Sequence, residues 1–116
     1  MTTNLAELTS LNDLEAVLAA SNTRSQLVFK HSNACPISAD AYDELHKYLP
    51  EADANVDYSL ITVQTARPVS NDVEAKLQIM HESPQAILIR NGKAVWHTSH
   101  RKITKAALTE AIKAHH

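Results

Sequence analysis

Gln26-Leu27-Val28-Phe29-Lys30-His31-Ser32-Asn33-Ala34-Cys35-Pro36-Ile37-Ser38 is the stretch on which the reading of this chain turns. Leu27, Val28 and Phe29 are three adjacent apolar residues, which suits a short strand covered on both faces, over residues 26–30. His31-Ser32-Asn33-Ala34 is polar and reads as a loop. From Cys35 to Leu49 the pattern is helical. Pro36 fits a first turn, where a missing amide hydrogen costs no bond. Ile37, Ala41, Leu45 and Leu49 then recur at four-residue steps along one face, and Pro50 stops the helix. A strand, a polar turn and a helix make one βα unit with a cysteine at its turn.

The flanking sequence extends this unit in both directions. Ser10 can cap an earlier helix that has Asp13 in its first turn and Leu11, Leu14, Val17 and Leu18 at helical spacing, ending at Ser21-Asn22-Thr23. Residues 57–64, with Tyr58, Leu60, Ile61, Thr62 and Val63, read as a second strand. Residues 68–80 read as a helix capped near Ser70 or Asn71, with Val73, Leu77 and Met80 inward. A third strand over 86–90 ends in Asn91-Gly92, a strong hairpin signal, and 93–98 is its antiparallel partner. Thr104 can cap a last helix carrying Ala107, Leu108 and Ile112. The order predicts an α/β protein of thioredoxin-like topology: a central mixed sheet of about four strands flanked by helices, in a single domain over 1–116.

Composition narrows the function. The chain has 116 residues and a formal net charge of −2. Lys and Arg do not cluster beyond Arg101-Lys102, so no nucleic-acid footprint is expected. The longest apolar run, Ala16 to Ala20, is far short of the ~20 residues of a membrane span. Met1-Thr2-Thr3-Asn4 shows no leader pattern. Gly92 is the only glycine, which excludes glycine-rich phosphate loops. Cys35 is the only cysteine, so no internal disulfide can form, and a reducing cytoplasm is the expected setting.

Cys35 is the candidate nucleophile. A helix N-terminus offers unpaired N–H groups and partial positive charge, both of which favour a thiolate, the form that attacks disulfides. Pro36 stiffens the turn. Ser38 stands where a two-cysteine redox motif has its second sulfur; its hydroxyl can donate to a thiolate but cannot resolve a mixed disulfide. His81-Glu82-Ser83-Pro84-Gln85 leads into the third strand, where a proline lacks a ladder donor; thioredoxin-like folds hold a cis-proline facing the reactive cysteine at that place, so the topology implies that role for Pro84. Ser83 would then present its backbone to a bound peptide in strand fashion. His31, His81 and Lys30 are candidates to stand near the sulfur. No metal site is expected, since His97 and His100 do not converge at a strand end and no second ligand cluster exists. Trp96 reads as hairpin packing, and His115 and His116 are set aside.

Lys30-His31-Ser32-Asn33-Ala34-Cys35-Pro36-Ile37-Ser38 resembles the KHSxxCPIS segment of the YtxJ-like monothiol bacilliredoxins, and His81-Glu82-Ser83-Pro84-Gln85 resembles their HESPQ segment. Val95-Trp96-His97-Thr98-Ser99-His100 with Ile103-Thr104 is similar to their strand-end pattern. The resemblance implies a thioredoxin fold, Cys35 as nucleophile, Pro84 as the cis-proline, and removal of bacillithiol from protein mixed disulfides. It also implies bacillithiolated client proteins as partners and bacillithiol as co-substrate, with no bound cofactor. Lys30, Arg67 and Arg101 could supply a cationic rim for the malate carboxylate of bacillithiol. Two other readings remain open from the residues alone. One is a thiol-ligated [2Fe–2S] carrier, and the other is a non-catalytic thioredoxin-like adaptor.

Overall fold

The computed structural model describes residues 5–115; Met1–Asn4 and His116, on which the readings of the N-terminus and the final histidine rest, lie outside it. The elements run β1 (Leu5–Glu7), α1 (Leu11–Ala20), β2 (Ser25–His31), α2 (Pro36–Tyr48), β3 (Val56–Thr62), α3 (Arg67–Leu77), β4 (Gln85–Arg90), β5 (Lys93–Ser99) and α4 (Lys105–His115). Short 3-10 turns follow α2 at Leu49–Glu51 and β5 at His100–Lys102. The sheet has the order β1-β3-β2-β4-β5, parallel among β1, β3 and β2 and antiparallel across β4 and β5. The fifth strand, β1, is the one the sequence did not announce. Its three residues are mostly exposed and too few to show a period of two.

The two sheet faces carry separate cores. Leu27, Phe29, Tyr58, Leu60, Ala86 and Leu88 pack with Leu45 and Tyr48 of α2 and Leu108 and Ile112 of α4. Val28, Ile61, Ile87 and Ile89 pack with Leu14 and Val17 of α1 and Val69, Val73 and Leu77 of α3. β2 and β4 are therefore covered on both sides, which explains their unbroken apolar runs.

Several local expectations hold at the level of atoms. Ser10 and Asp13 form a reciprocal capping box at α1. Thr104 Oγ1 accepts the Ala107 N–H at the start of α4. Asn91 and Gly92 both have positive φ, 55° and 72°, as a two-residue hairpin of this kind demands. Others need correction. The cap of α3 is Ala66, not Ser70 or Asn71, because Pro68 takes an early helical position and draws the start forward. The helix also ends sooner, at Leu77, where Gln78 enters the left-handed region with φ 55°. Met80 consequently lies beyond the helix and is 79% exposed rather than inward-facing. Leu11 is likewise exposed, since the first turn of α1 overhangs the core.

Candidate functional site at the β2–α2 turn

Two parallel strands and one antiparallel neighbour bring their ends together at one edge of the sheet. β2 and β3 both finish there, at His31 and Thr62, and β4 starts there, with Lys30 opposite Gln85. The loop after β2, the loop after β3 and the segment before β4 therefore converge around Cys35. Loops at the carboxyl ends of parallel strands are where α/β sheets place their chemistry.

Cys35 is the N-cap of α2, with extended backbone (φ −121°, ψ 121°), and its side chain makes no capping hydrogen bond. Pro36 occupies the first helical turn, and the Ala39 N–H returns to the Cys35 carbonyl at 3.1 Å. The thiol is free and partly exposed. The Ser83–Pro84 peptide bond is cis. The Pro84 carbonyl accepts the His100 N–H at 3.0 Å, tying the segment before β4 to the end of β5.

Ser38 is fully buried one turn into α2. Its Oγ accepts the Ser32 N–H at 2.9 Å and lies 2.8 Å from His31 Nδ1. Burial holds His31 below the ordinary histidine range, so the ring is neutral near pH 7. Ser38 Oγ and His31 Nδ1 share one hydrogen bond, whose donor is set by the His31 tautomer. The Ser38 hydroxyl is thus engaged with His31 and Ser32, and no hydrogen bond joins it to Cys35 among the described residues, which corrects the expectation that Ser38 donates to the sulfur. The His31 ring stacks on Tyr42 of α2 with centroids 4.7 Å apart, and Tyr42 meets His46 edge-on at 4.4 Å. The rest of the loop is closed by Gln64, whose Oε1 accepts the Asn33 N–H at 3.2 Å while its Nε2 donates to Ser32 Oγ at 2.7 Å.

Lys30 is on the opposite face of β2 from His31, as alternation along a strand requires. It has no exposed surface at all. An ammonium with no exposure cannot line a rim, so the expected contact between Lys30 and a carboxylate of bacillithiol is not available. Its Nζ instead donates to His81 Nδ1 at 3.0 Å. Burial pushes Lys30 down from 10.5 to about 8, with the Glu74 carboxylate opposing the shift. His81 is also lowered, by burial and then by the Lys30 ammonium, against the pull of Glu74, which leaves Nδ1 as an acceptor. Glu74 Oε2 accepts the His81 N–H at 2.6 Å, and Ser70 Oγ stands 3.5 Å from His81 Nδ1. Of the other two expected cations, Arg101 is exposed and 3.9 Å from Asp40 on α2, while Arg67 opens α3. No cluster of three metal-ligating side chains occurs among the described residues.

Gln64, Tyr42 and Glu74 belong to this site or its supports and were not singled out in the sequence, where Ser70 was read only as a helix cap and Gln85 only as the end of a motif. Lys30 was the available signal. A lysine inside a strand covered on both faces must find partners, and Ser70 and Glu74, one turn apart on the neighbouring helix, supply that polar face.

A family model described as monothiol bacilliredoxin BrxC matches residues 6–108. The chain belongs to the monothiol bacilliredoxin family. A solved structure whose description gives a thioredoxin fold and an oxidoreductase assignment is 36% identical, covers 93% of each chain and superposes with a TM-score of 0.81. Thioredoxin from Fasciola hepatica is similar over 97% of this chain and 100% of its own, at 20% identity and a TM-score of 0.76. Mitochondrial thioredoxin 3 from Saccharomyces cerevisiae matches 95% of this chain and 94% of its own, at 16% identity and a TM-score of 0.74. These two share the fold alone. This bacilliredoxin-family chain is thus a thioredoxin-fold member of a thiol oxidoreductase family. No helix among the described residues is long and apolar enough to cross a membrane.

Proposed function

We propose that this chain removes bacillithiol from mixed disulfides of client proteins through Cys35. The observation that carries the reading is a single, partly exposed cysteine at the N-cap of α2 with no second cysteine in the chain. The Cys35 thiolate attacks the bacillithiol sulfur of the client disulfide. The Cys35–bacillithiol disulfide forms, the client disulfide breaks, and the client leaves as a thiolate that takes a proton from water. A second bacillithiol thiolate then attacks the adduct, giving bacillithiol disulfide and free Cys35. Neither step changes the total number of disulfides, so no outside oxidant is needed.

The geometry supports a docking mode as well. Ser83 has no backbone hydrogen-bond partner among the described residues. Its N–H and C=O suit a client chain that adds as a short strand beside Cys35. Arg101, exposed beside Asp40 of α2, is the cation we assign to a carboxylate of bacillithiol. Recycling tests the proposal. The isolated Cys35–bacillithiol adduct should clear faster with bacillithiol than with an equal concentration of glutathione. Equal rates would leave a general monothiol exchange protein and remove the bacillithiol preference. A visible absorption band in anaerobically prepared protein would instead favour a [2Fe–2S] carrier.

A further inference from the structure

The most unusual group in the fold is the Lys30 ammonium, fully buried between β2 and α3 and aimed at the segment that precedes β4. A buried ion without partners is expensive, so its presence asks what it holds. What it holds is His81. The residues from Met80 to Pro84 form no helix or strand, yet they are fastened along their length. The Met80 carbonyl accepts from Gln85 Nε2 at 3.1 Å. The His81 N–H is taken by Glu74, and its ring by Lys30 with Ser70 alongside. The Pro84 carbonyl is taken by the His100 N–H. Between these ties, Ser83 keeps its backbone groups unpaired among the described residues. Lys30 is also the cross-strand partner of Gln85, the residue whose side chain ties down Met80.

We propose that Lys30 is a positioning residue for peptide substrates: through His81 it fixes the 81–84 segment so that the Ser83 backbone can pair with a client chain beside Cys35. This rests on the exchange reading given above and adds the group that makes a peptide a better substrate than a small disulfide. A small disulfide reaches Cys35 without using the Ser83 backbone. A peptide uses both, and an unfixed segment must be ordered at the moment of binding, which weakens affinity for the peptide alone.

The test compares two substrates on each variant: a bacillithiolated peptide and hydroxyethyl disulfide. In Lys30→Met, the ratio of kcat/KM for the peptide to that for the small disulfide should fall at least fivefold, with the loss in peptide KM rather than kcat. His81→Leu, which leaves the ammonium without its acceptor, should lower the ratio similarly. His81→Gln, whose amide oxygen can accept from Lys30, should restore most of it. An unchanged ratio in both Lys30→Met and His81→Leu, with wild-type transfer intact, overturns this inference alone. A ratio held constant because both substrates slow equally also overturns it, since that would place Lys30 at the sulfur or in general stability. Should Lys30→Met not fold, the His81→Leu and His81→Gln pair decides the matter by the same ratio. Absence of transfer from the peptide to wild-type Cys35 overturns the exchange reading and this inference together.

Discussion

Replacing Lys30 by methionine should change how stability depends on pH, and the sign follows from where the proton goes. Lys30 titrates at about 8 in the folded protein and at its ordinary 10.5 when unfolded. Between those values the unfolded chain holds a proton that the folded one has released. Stability therefore rises with pH across this window and is flat below it, where both states are protonated. At 1.36 kcal/mol for each pH unit, the rise attributable to Lys30 amounts to about 3 kcal/mol. Lys30→Met removes the group and hence the rise, and methionine fills a similar volume without a charge to desolvate. At neutral pH the variant should be at least as stable as wild type, although its peptide turnover suffers, a trade that functional polar groups in cores commonly make. Urea unfolding of both proteins at intervals from about pH 7 to 10.5 is the assay, and the difference curve cancels every other titrating group the two share. Parallel stability curves, or a variant that loses several kcal/mol at neutral pH, would refute the assignment of Lys30 as a strained buried ammonium.

Ser38→Ala strands the Ser32 N–H and removes the hydrogen bond to His31. It should cost roughly 1–3 kcal/mol by urea denaturation, the usual penalty for leaving a buried group unpaired, and a loss near zero would show the pairing is not formed. His31→Phe keeps the stacking on Tyr42 but not the titration. Since burial lowers His31 from 6.5, wild type should lose stability relative to this variant as pH falls below 6.5, and a difference curve that does not move through that range would contradict the neutral ring.

The apolar runs made most of the fold legible. Leu27-Val28-Phe29 and Ile87-Leu88-Ile89 announce strands covered on both faces, and Asn91-Gly92 announces the hairpin between β4 and β5. β1 escaped because its pairing partner Tyr58–Leu60, rather than its own pattern, makes it a strand. Met80 and Ser70 depart from the sequence reading because α3 starts at Arg67, with Pro68 in its first turn, and ends at Leu77, which puts Ser70 inside the helix rather than at its cap and Met80 beyond its end. At the site, Cys35 could be placed at a helix start from Pro36 and the preceding strand, because those signals are local. Lys30 could not be placed. Its burial depends on Glu74, Ser70 and His81, which reach it only through the packing of α3 on the sheet. Gln64 was invisible for the same cause, since its bonds to Ser32 and Asn33 exist only when β2 and β3 lie side by side.

Intact mass is the most direct check on the exchange chemistry. The protein, in excess over a bacillithiolated client and with no free thiol present, should gain the mass of one bacillithiol as the client loses it. Cys35→Ser should gain none. Because the chain has no second cysteine, the adduct should persist until thiol is added rather than resolve on its own. Transfer that survives in Cys35→Ser, or a wild-type mass that never changes, would contradict a monothiol exchange centred on Cys35.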